Sequence, residues 1–190
     1  MLHETTSTEP PMARGQVTIL GQRRVWQLQR GLLMVQSLSR PGEAVRHLAL
    51  PGDWLNLECL CDLPADTRIT ALMPSQLRPL AQPPLTDSHA LIRHLLLQQR
   101  RWTDDMLALR TGSVEQRLGR WLELLSRAGG GALAASSDEV PTLREIATLV
   151  DAAPETVCRV LARLRAPDSA PDRTRTRPSR WVRPLPLAAF

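Results

Sequence analysis

The sequence predicts an α+β protein: a small antiparallel β-roll, then one long helix, then a C-terminal helix-turn-helix. Three patterns carry this prediction. Short β-like runs separated by turn residues occupy residues 16–80, apolar residues recur at helical spacing over 86–110, and two short amphipathic segments occupy 141–165. Short, evenly spaced strands are typical of a small barrel or roll, whereas a period near 3.6 residues is typical of helices.

Changes of pattern divide the chain into four parts. Residues 1–15 are polar and interrupted by prolines, which predicts a flexible tail. We expect the β-roll at residues 16–85, the long helix at 86–111, and a helix-turn-helix domain with an Arg/Pro-rich tail at 112–190.

The candidate strands and turns alternate in order along the first half. The strands are residues 17–20, 24–28, 32–38, 45–50 and 69–73. The turns between and after them contain Gly21, Gly31, Pro41-Gly42, Pro51-Gly52 and Pro74-Ser75. Glycine and proline at such intervals are the strongest signals for turns between strands.

The long helix carries an apolar stripe with the spacing of a coiled-coil seam. Its residues advance by alternating steps of three and four: Ile92, Leu95, Gln99, Trp102, Met106 and Leu109. This spacing predicts a seam between two copies of the chain, in which the polar Gln99 would fix the register. The same stripe would also pack the helix on its own β-roll, and Leu91, Leu96 and Leu97 widen the apolar face, so the helix could do both.

Two more capped helices and a turn follow. Ser113 with Gln116 and Thr142 with Glu145 have the capping-box spacing that opens a helix. Asp151 can close the turn because Asp tolerates positive φ. Pro154 suits the first position of the last helix. The inner stripe of that helix is Val157, Val160, Leu161 and Leu164.

The outer face of this last helix has the chemistry to read bases. Glu155 and Arg159 are four residues apart, so they project from one side about one turn from each other. A carboxylate accepts from cytosine, and a guanidinium donates bidentately to guanine. The alternative is an ordinary exposed ion pair between positions i and i+4.

Two segments resemble the helix-turn-helix of the Crp/Fnr family of bacterial transcription regulators: Glu-Ile-Ala at 145–147 and Glu-Thr-Val-Cys-Arg-Val-Leu at 155–161. The resemblance implies that Glu155 and Arg159 read bases. We assign Thr142, Thr156 and Arg163 to contacts with the DNA backbone or to supporting roles. The departures from the family pattern are Asp151 in place of Gly, Ala153 in place of Ser and Pro154 in place of Arg.

The segment from Trp26 to Trp54 is similar to the cyclic-nucleotide-binding-like, cupin-like β-roll of the same family. The residues at its ligand-binding positions differ from those of the family. Asn56 and Leu57 stand where the family has Gly-Glu, and Arg68 lies about three residues beyond the phosphate-binding Arg position. An unpaired buried phosphodiester is costly. We therefore expect no cyclic nucleotide, and we name no cofactor, metal or effector.

The C-terminal segment allows two interpretations. A winged domain would place a β-hairpin here, with Trp181-Val182-Arg183 as its second strand. The segment would otherwise be a disordered basic tail. In either case four arginines are candidate phosphate contacts: Arg173, Arg175, Arg177 and Arg180.

Charge and composition limit the function. All 24 basic residues are arginine. Residues 141–190 carry nine arginines against five acidic residues, whereas 1–140 carry fifteen against fourteen, so the positive excess lies where DNA phosphates would bind. The three cysteines are too few and too poorly spaced for a disulfide framework or a closed zinc site. We expect Cys59 and Cys61 to be small buried residues of a strand.

Together these patterns predict a sequence-specific DNA-binding regulator that acts as a homodimer on a two-fold symmetric operator. RNA polymerase is a further candidate partner. The alternative is a degenerate family member that works as a protein-interaction module. No catalytic constellation or phosphate-binding glycine loop stands out, so an enzyme is not expected. The sequence has no long apolar stretch and no signal peptide, which predicts a cytoplasmic protein without a membrane partner.

Overall fold

The N-terminal half of the chain forms the predicted antiparallel β-roll, and four helices follow it. The structure is a computed structural model that describes residues 11–20, 24–38, 44–64, 66–80, 87–129 and 140–165. The strands are β1 (Val17–Ile19), β2 (Trp26–Arg30), β3 (Leu33–Ser37), β4 (Val45–Ala49), β5 (Trp54–Leu55), β6 (Thr67–Ala71) and β7 (Gln76–Pro79). The helices are α1 (Ser88–Arg110), α2 (Val114–Ala128), α3 (Leu143–Leu149) and α4 (Pro154–Arg165).

The roll consists of two antiparallel sheets. One has the strand order β1-β6-β3-β4 and the other β5-β2-β7. The chain passes from the second sheet to the first at Gly31, whose φ is +94°. A Cβ at this position would lie 2.5 Å from the carbonyl oxygen of Pro74, so only glycine fits.

Four parts of the roll differ from the sequence prediction. The short strands β5 and β7 were not predicted. Cys59 and Cys61 lie on a 3-10 helix, Leu57–Cys61, rather than on a strand, and Cys61 is exposed. Residues 11–15, assigned to the flexible tail, are partly paired with the roll, because Met12 forms a β-bridge with Ser75 and is buried.

Two hydrophobic cores hold the described residues together. The first lies within the roll and includes Trp26, Leu28 and Ile69. The second is shared between the roll and the helices. It contains Leu32, Leu48, Leu50, Leu72 and Met73 from the roll, Leu109 from α1, Leu118, Trp121, Leu124, Leu125 and Ala128 from α2, and Ile146, Ala147, Leu149, Val150, Val157, Val160 and Leu161 from the helix-turn-helix region. Helices α3 and α4 therefore pack in the same core as part of the roll.

Ion pairs also join the roll to the helices. Arg101 of α1 pairs with Asp53 of the roll and lies 3.7 Å from Asp105. The carboxylate of Asp105 is almost fully buried and pairs with Arg120 of α2. The Trp102 indole N–H donates to Asp53 at 3.1 Å. Because a buried carboxylate is costly without partners, these contacts fix how α1 sits between the roll and α2.

The predicted stripe of α1 is split between two sides of the helix. Trp102 and Leu109 are buried within this chain, as the packing on its own roll would require. Ile92 and Gln99 are exposed, and Leu95 and Met106 are half-buried. The most exposed apolar residues of α1 are Ile92, Leu96, Leu97 and Leu107. In the described part of the chain, no helix is long and apolar enough to cross a membrane.

Candidate nucleic-acid interface

Helix α3 begins with the predicted capping box. The Thr142 hydroxyl accepts from the Glu145 amide at 3.2 Å, and the Thr142 amide donates to the Glu145 carboxylate at 2.6 Å. Arg14, from the N-terminal segment, donates to the same carboxylate oxygen at 2.6 Å. Partial burial alone would raise the pKa of Glu145, but the hydrogen bonds from Thr142 and the charge of Arg14 outweigh it and lower that pKa.

The turn between α3 and α4 is closed as predicted. Asp151 has a φ of +48°, a left-handed conformation that Asp tolerates better than most residues. The Ala152 amide donates to the Ala147 carbonyl at 3.0 Å, which ends α3. Pro154 is the first residue of α4. Asp151 therefore closes the turn in a left-handed conformation at the position where the resemblance places a glycine.

Two arginines from other helices donate to the carbonyls of this turn. Arg110, the last residue of α1, donates from Nε to the Leu149 carbonyl at 3.0 Å. Arg117 of α2 donates from one Nη to the Val150 carbonyl and, at 3.0 Å, to the Asp151 carbonyl. The last carbonyls of a helix have no partner within it, so these guanidiniums satisfy groups that would otherwise need water.

Helix α4 buries its inner stripe and exposes the predicted readers. Val157, Val160 and Leu161 are buried in the shared core. Glu155 and Arg159 are exposed. Among the residues that the structure describes, neither has an ion-pair partner, so the alternative of an i, i+4 pair is not formed. Both charges are free to meet a ligand.

The supporting residues lie close to these readers in the sequence. Arg163 is exposed on α4, and Thr156 is half-buried on the same helix. Thr142 uses its hydroxyl to cap α3. Arg173, Arg175, Arg177 and Arg180, and with them the predicted wing, lie outside the described residues.

An open groove at the turn adds residues that the sequence analysis did not single out. It has a volume of about 510 Å³, and its walls include Arg144, Thr148 and Pro154. Arg144 and Thr148 are exposed one turn apart on α3. The i, i+4 spacing of a basic and a hydroxyl residue on the outer face of α3 was the only sequence signal for them.

A second cavity, of about 310 Å³, lies between the roll and α1. Its walls include Trp54, Trp102, His47, Arg46 and Glu58. The ring of His47 stacks on that of Trp102, with centroids 3.5 Å apart. Burial, and then the charges of Arg46 and Arg101, lower the pKa of His47 to about 3, so this imidazole is neutral.

The altered ligand signature begins at Asn56, on the wall of this cavity. Asn56 has a φ of +60°, and its buried amide donates to the Arg24 carbonyl at 2.8 Å. The guanidinium on the cavity wall is that of Arg46, which lies 4.0 Å from the Asp66 carboxylate. The cavity therefore offers aromatic rings and a cation that already has a counter-ion.

A roll of two sheets, a long helix and a helix-turn-helix define the architecture of the Crp/Fnr transcription regulators. Solved structures support this. The chain is similar to a CRP-family transcriptional regulator from Thermus thermophilus, with 26% identity and a TM-score of 0.62 over 83% of this chain and 84% of that one.

Two further structures agree. A CRP/FNR-family regulator from the same organism is 22% identical, with a TM-score of 0.58 over 82% of this chain and 84% of that one. FixK2 from Bradyrhizobium japonicum is 21% identical, with a TM-score of 0.58 over 83% of both chains. No protein-family model and no curated protein matches the chain. The chain has the fold of the Crp/Fnr transcription regulators, which confirms the resemblance predicted from its residues.

Proposed function

We propose that this protein is a sequence-specific DNA-binding transcription regulator that reads DNA with α4. One observation carries the proposal: Glu155 and Arg159 are exposed on one side of α4, opposite the buried Val157 and Leu161, and have no ion-pair partner among the described residues. A helix that fits the major groove and presents a carboxylate and a guanidinium can contact the edges of neighbouring base pairs.

The surroundings of α4 favour a nucleic acid over a protein surface. Arg144 and Arg163 are exposed on α3 and α4 and offer two guanidiniums to phosphates, whereas the Thr148 hydroxyl donates to the Arg144 carbonyl at 3.0 Å. Thr156, the other supporting residue on α4, is half-buried. Thr142, which caps α3, would support the interface by fixing the start of that helix.

We also propose that the protein is a homodimer that pairs along the exposed side of α1. Ile92, Leu96 and Leu107 are 55%, 65% and 59% exposed. Gln99 and Thr103 are exposed between them, and the spacing places all five on one side of the helix. Two copies of α4 need a two-fold axis to read two half-sites, and a second copy of α1 would cover this side.

We propose further that activity does not depend on a cyclic nucleotide. Asn56 and Leu57 occupy the Gly-Glu positions, and Arg46 already faces Asp66 across 4.0 Å. A phosphodiester in the cavity would compete with that carboxylate. Isothermal titration with cyclic AMP and cyclic GMP tests this, and low-micromolar binding of either would contradict it.

The proposed function is tested by selecting double-stranded DNA from a random pool with the purified protein at moderate salt. We expect a two-fold symmetric motif with half-sites about one helical turn apart. Enrichment without a motif, with binding that disappears as salt rises, would contradict base reading and leave only charge.

That second result would favour the protein-interaction alternative. One observation supports the alternative independently: Val17 and Ile19, on the edge strand β1, are 53% and 52% exposed. Edge strands with apolar side chains offer a surface for another protein, and RNA polymerase is one candidate.

A further inference from the structure

The turn between α3 and α4 is held from outside the helix-turn-helix. Helix α3 has only seven residues. Three consecutive carbonyls at its end, those of Leu149, Val150 and Asp151, each accept a hydrogen bond from a guanidinium. The donors, Arg110 and Arg117, belong to α1 and α2.

These hydrogen bonds act on the peptide groups that set the direction of α4. Asp151 is the residue with positive φ in the turn, and α4 begins three residues later at Pro154. Cationic donors at the C-terminal end of a helix are also favoured by the helix dipole. Because Arg117 contacts the carbonyls on both sides of the Asp151 nitrogen and Cα, it restrains the conformation of this residue.

The same contacts tie the turn to the end of α1. Arg110 is the last residue of α1, and Arg117 lies in the first turns of α2. The two are joined by the short connection around Gly112, whose φ is +84°. A shift of α1 relative to α2 would change the separation of the two guanidiniums. It would therefore alter their hydrogen bonds to the carbonyls of the turn.

We propose that Arg110 and Arg117 are positioning residues for base reading, which set the orientation of α4 through the carbonyls of the turn. This inference rests on the proposed function. Arg117 is half-buried, with its Nε enclosed in protein, so it is not placed as a phosphate contact. Glu155 and Arg159 would supply the recognition, and the two arginines would decide where each copy of α4 points.

The test compares Arg110→Gln, Arg117→Gln and the double variant with Arg127→Gln. Arg127 is an exposed arginine on α2, so its substitution removes the same charge without touching the turn. Affinity is measured for the selected operator and for random DNA of equal length. We expect the double variant to lose about tenfold on the operator, and each single variant to match Arg127→Gln on random DNA.

A second measurement separates positioning from a general loss of structure. Selection from a random pool is repeated with the double variant, whose thermal melting and dimer mass are recorded alongside. We expect the half-site sequence to remain, because Glu155 and Arg159 are unchanged, while the preferred spacing between half-sites broadens. An Arg117→Lys variant, which keeps the positive charge on a differently shaped donor group, should have an affinity between those of the wild type and Arg117→Gln. It keeps the test valid if the Gln variants unfold.

The outcomes distinguish the two proposals. If the wild-type protein selects no motif, both fail. If it selects a motif and the variants keep its spacing and operator affinity, only the positioning role fails. Equal losses on operator and random DNA, or a loss that follows the melting temperature, would also overturn the positioning role.

Discussion

Arg159 is the residue that tests base reading most directly. It is exposed on α4 and has no ion-pair partner in the described part of the chain, so its removal disturbs little else. We expect Arg159→Ala to cost roughly 1–3 kcal/mol of operator binding, the usual value of a bidentate contact with guanine. Fluorescence anisotropy with operator and random duplexes at one salt concentration measures it.

The matched control is Arg78→Ala, which removes an exposed arginine from β7 of the roll. It should leave operator binding close to that of the wild type. If Arg159→Ala weakens operator and random DNA by the same factor, its role is phosphate neutralisation.

His47 should make the free energy of unfolding depend on pH. In the folded protein burial, Arg46 and Arg101 hold its pKa at about 3, whereas the ordinary value is 6.5. Between these values the unfolded chain binds a proton that the folded chain does not, so stability falls as pH is lowered from about 6.5 towards 3. We expect His47→Phe, which keeps a ring against Trp102, to reduce this fall.

Urea unfolding at a series of pH values measures the slope. His89→Phe, at an exposed histidine of α1, is the matched control. If His47→Phe and His89→Phe have the same slope as the wild type, protonation of His47 does not contribute.

At the residue scale, the sequence predicted the caps and turns, which depend on residues close to one another along the chain. Thr142 capping α3, Asp151 in the turn and Pro154 opening α4 are all confirmed, because each is decided within a few residues. Arg110 and Arg117 could not be predicted. Their carbonyl partners lie 39 and 33 residues away, and no local pattern marks an arginine for a distant carbonyl.

At the scale of the element, α1 has one face buried within this chain and one exposed face. Leu96 and Leu107 are eleven residues apart and lie on the same side, whereas Leu97 is turned by about 100° from Leu96. All three are more than half exposed. We expect Leu96→Glu with Leu107→Glu to convert the proposed dimer to monomer, because the substitutions would bury like charges across its two-fold axis.

Sedimentation velocity gives the mass of the variant. Leu97→Glu is the control, since it adds the same charge outside the proposed interface. A double variant that remains dimeric, or a Leu97→Glu variant that dissociates equally, would place the interface elsewhere.

Periodicity could predict that α1 exists but not what each side contacts. Trp102 and Leu109 are as apolar as the exposed residues, yet they pack within the chain. Apolar residues surround much of this helix, so several stripes fit the same sequence. The strands β5 and β7 were missed for a related reason. They are two and four residues long, and both pair with β2, which is distant in sequence.

At the scale of the whole molecule, the shared core predicts that the roll and the helices unfold together. Leu72 of the roll is fully buried in the same cluster as Trp121 and Val157. We expect Leu72→Ala to lower the free energy of unfolding by about 2–5 kcal/mol, the usual cost of such a cavity. Transitions followed by far-UV circular dichroism and by tryptophan fluorescence should coincide in both proteins.

The control is Leu63→Ala, because Leu63 is 59% exposed and its truncation leaves no cavity. It should change the free energy of unfolding by less than about 0.5 kcal/mol. Two separate transitions in the wild type would contradict a common core.

The shared core also limits how the proposed DNA specificity of this protein could be engineered. Leu32, Leu48 and Leu72 of the roll belong to one buried cluster with side chains of α2, α3 and α4. A chimaera that joined this helix-turn-helix to a foreign sensor domain would separate the two parts of this cluster and expose apolar surface on both. Exchanging the outer residues of α4 would therefore change DNA specificity with less loss of stability than transplanting α3 and α4 as a module.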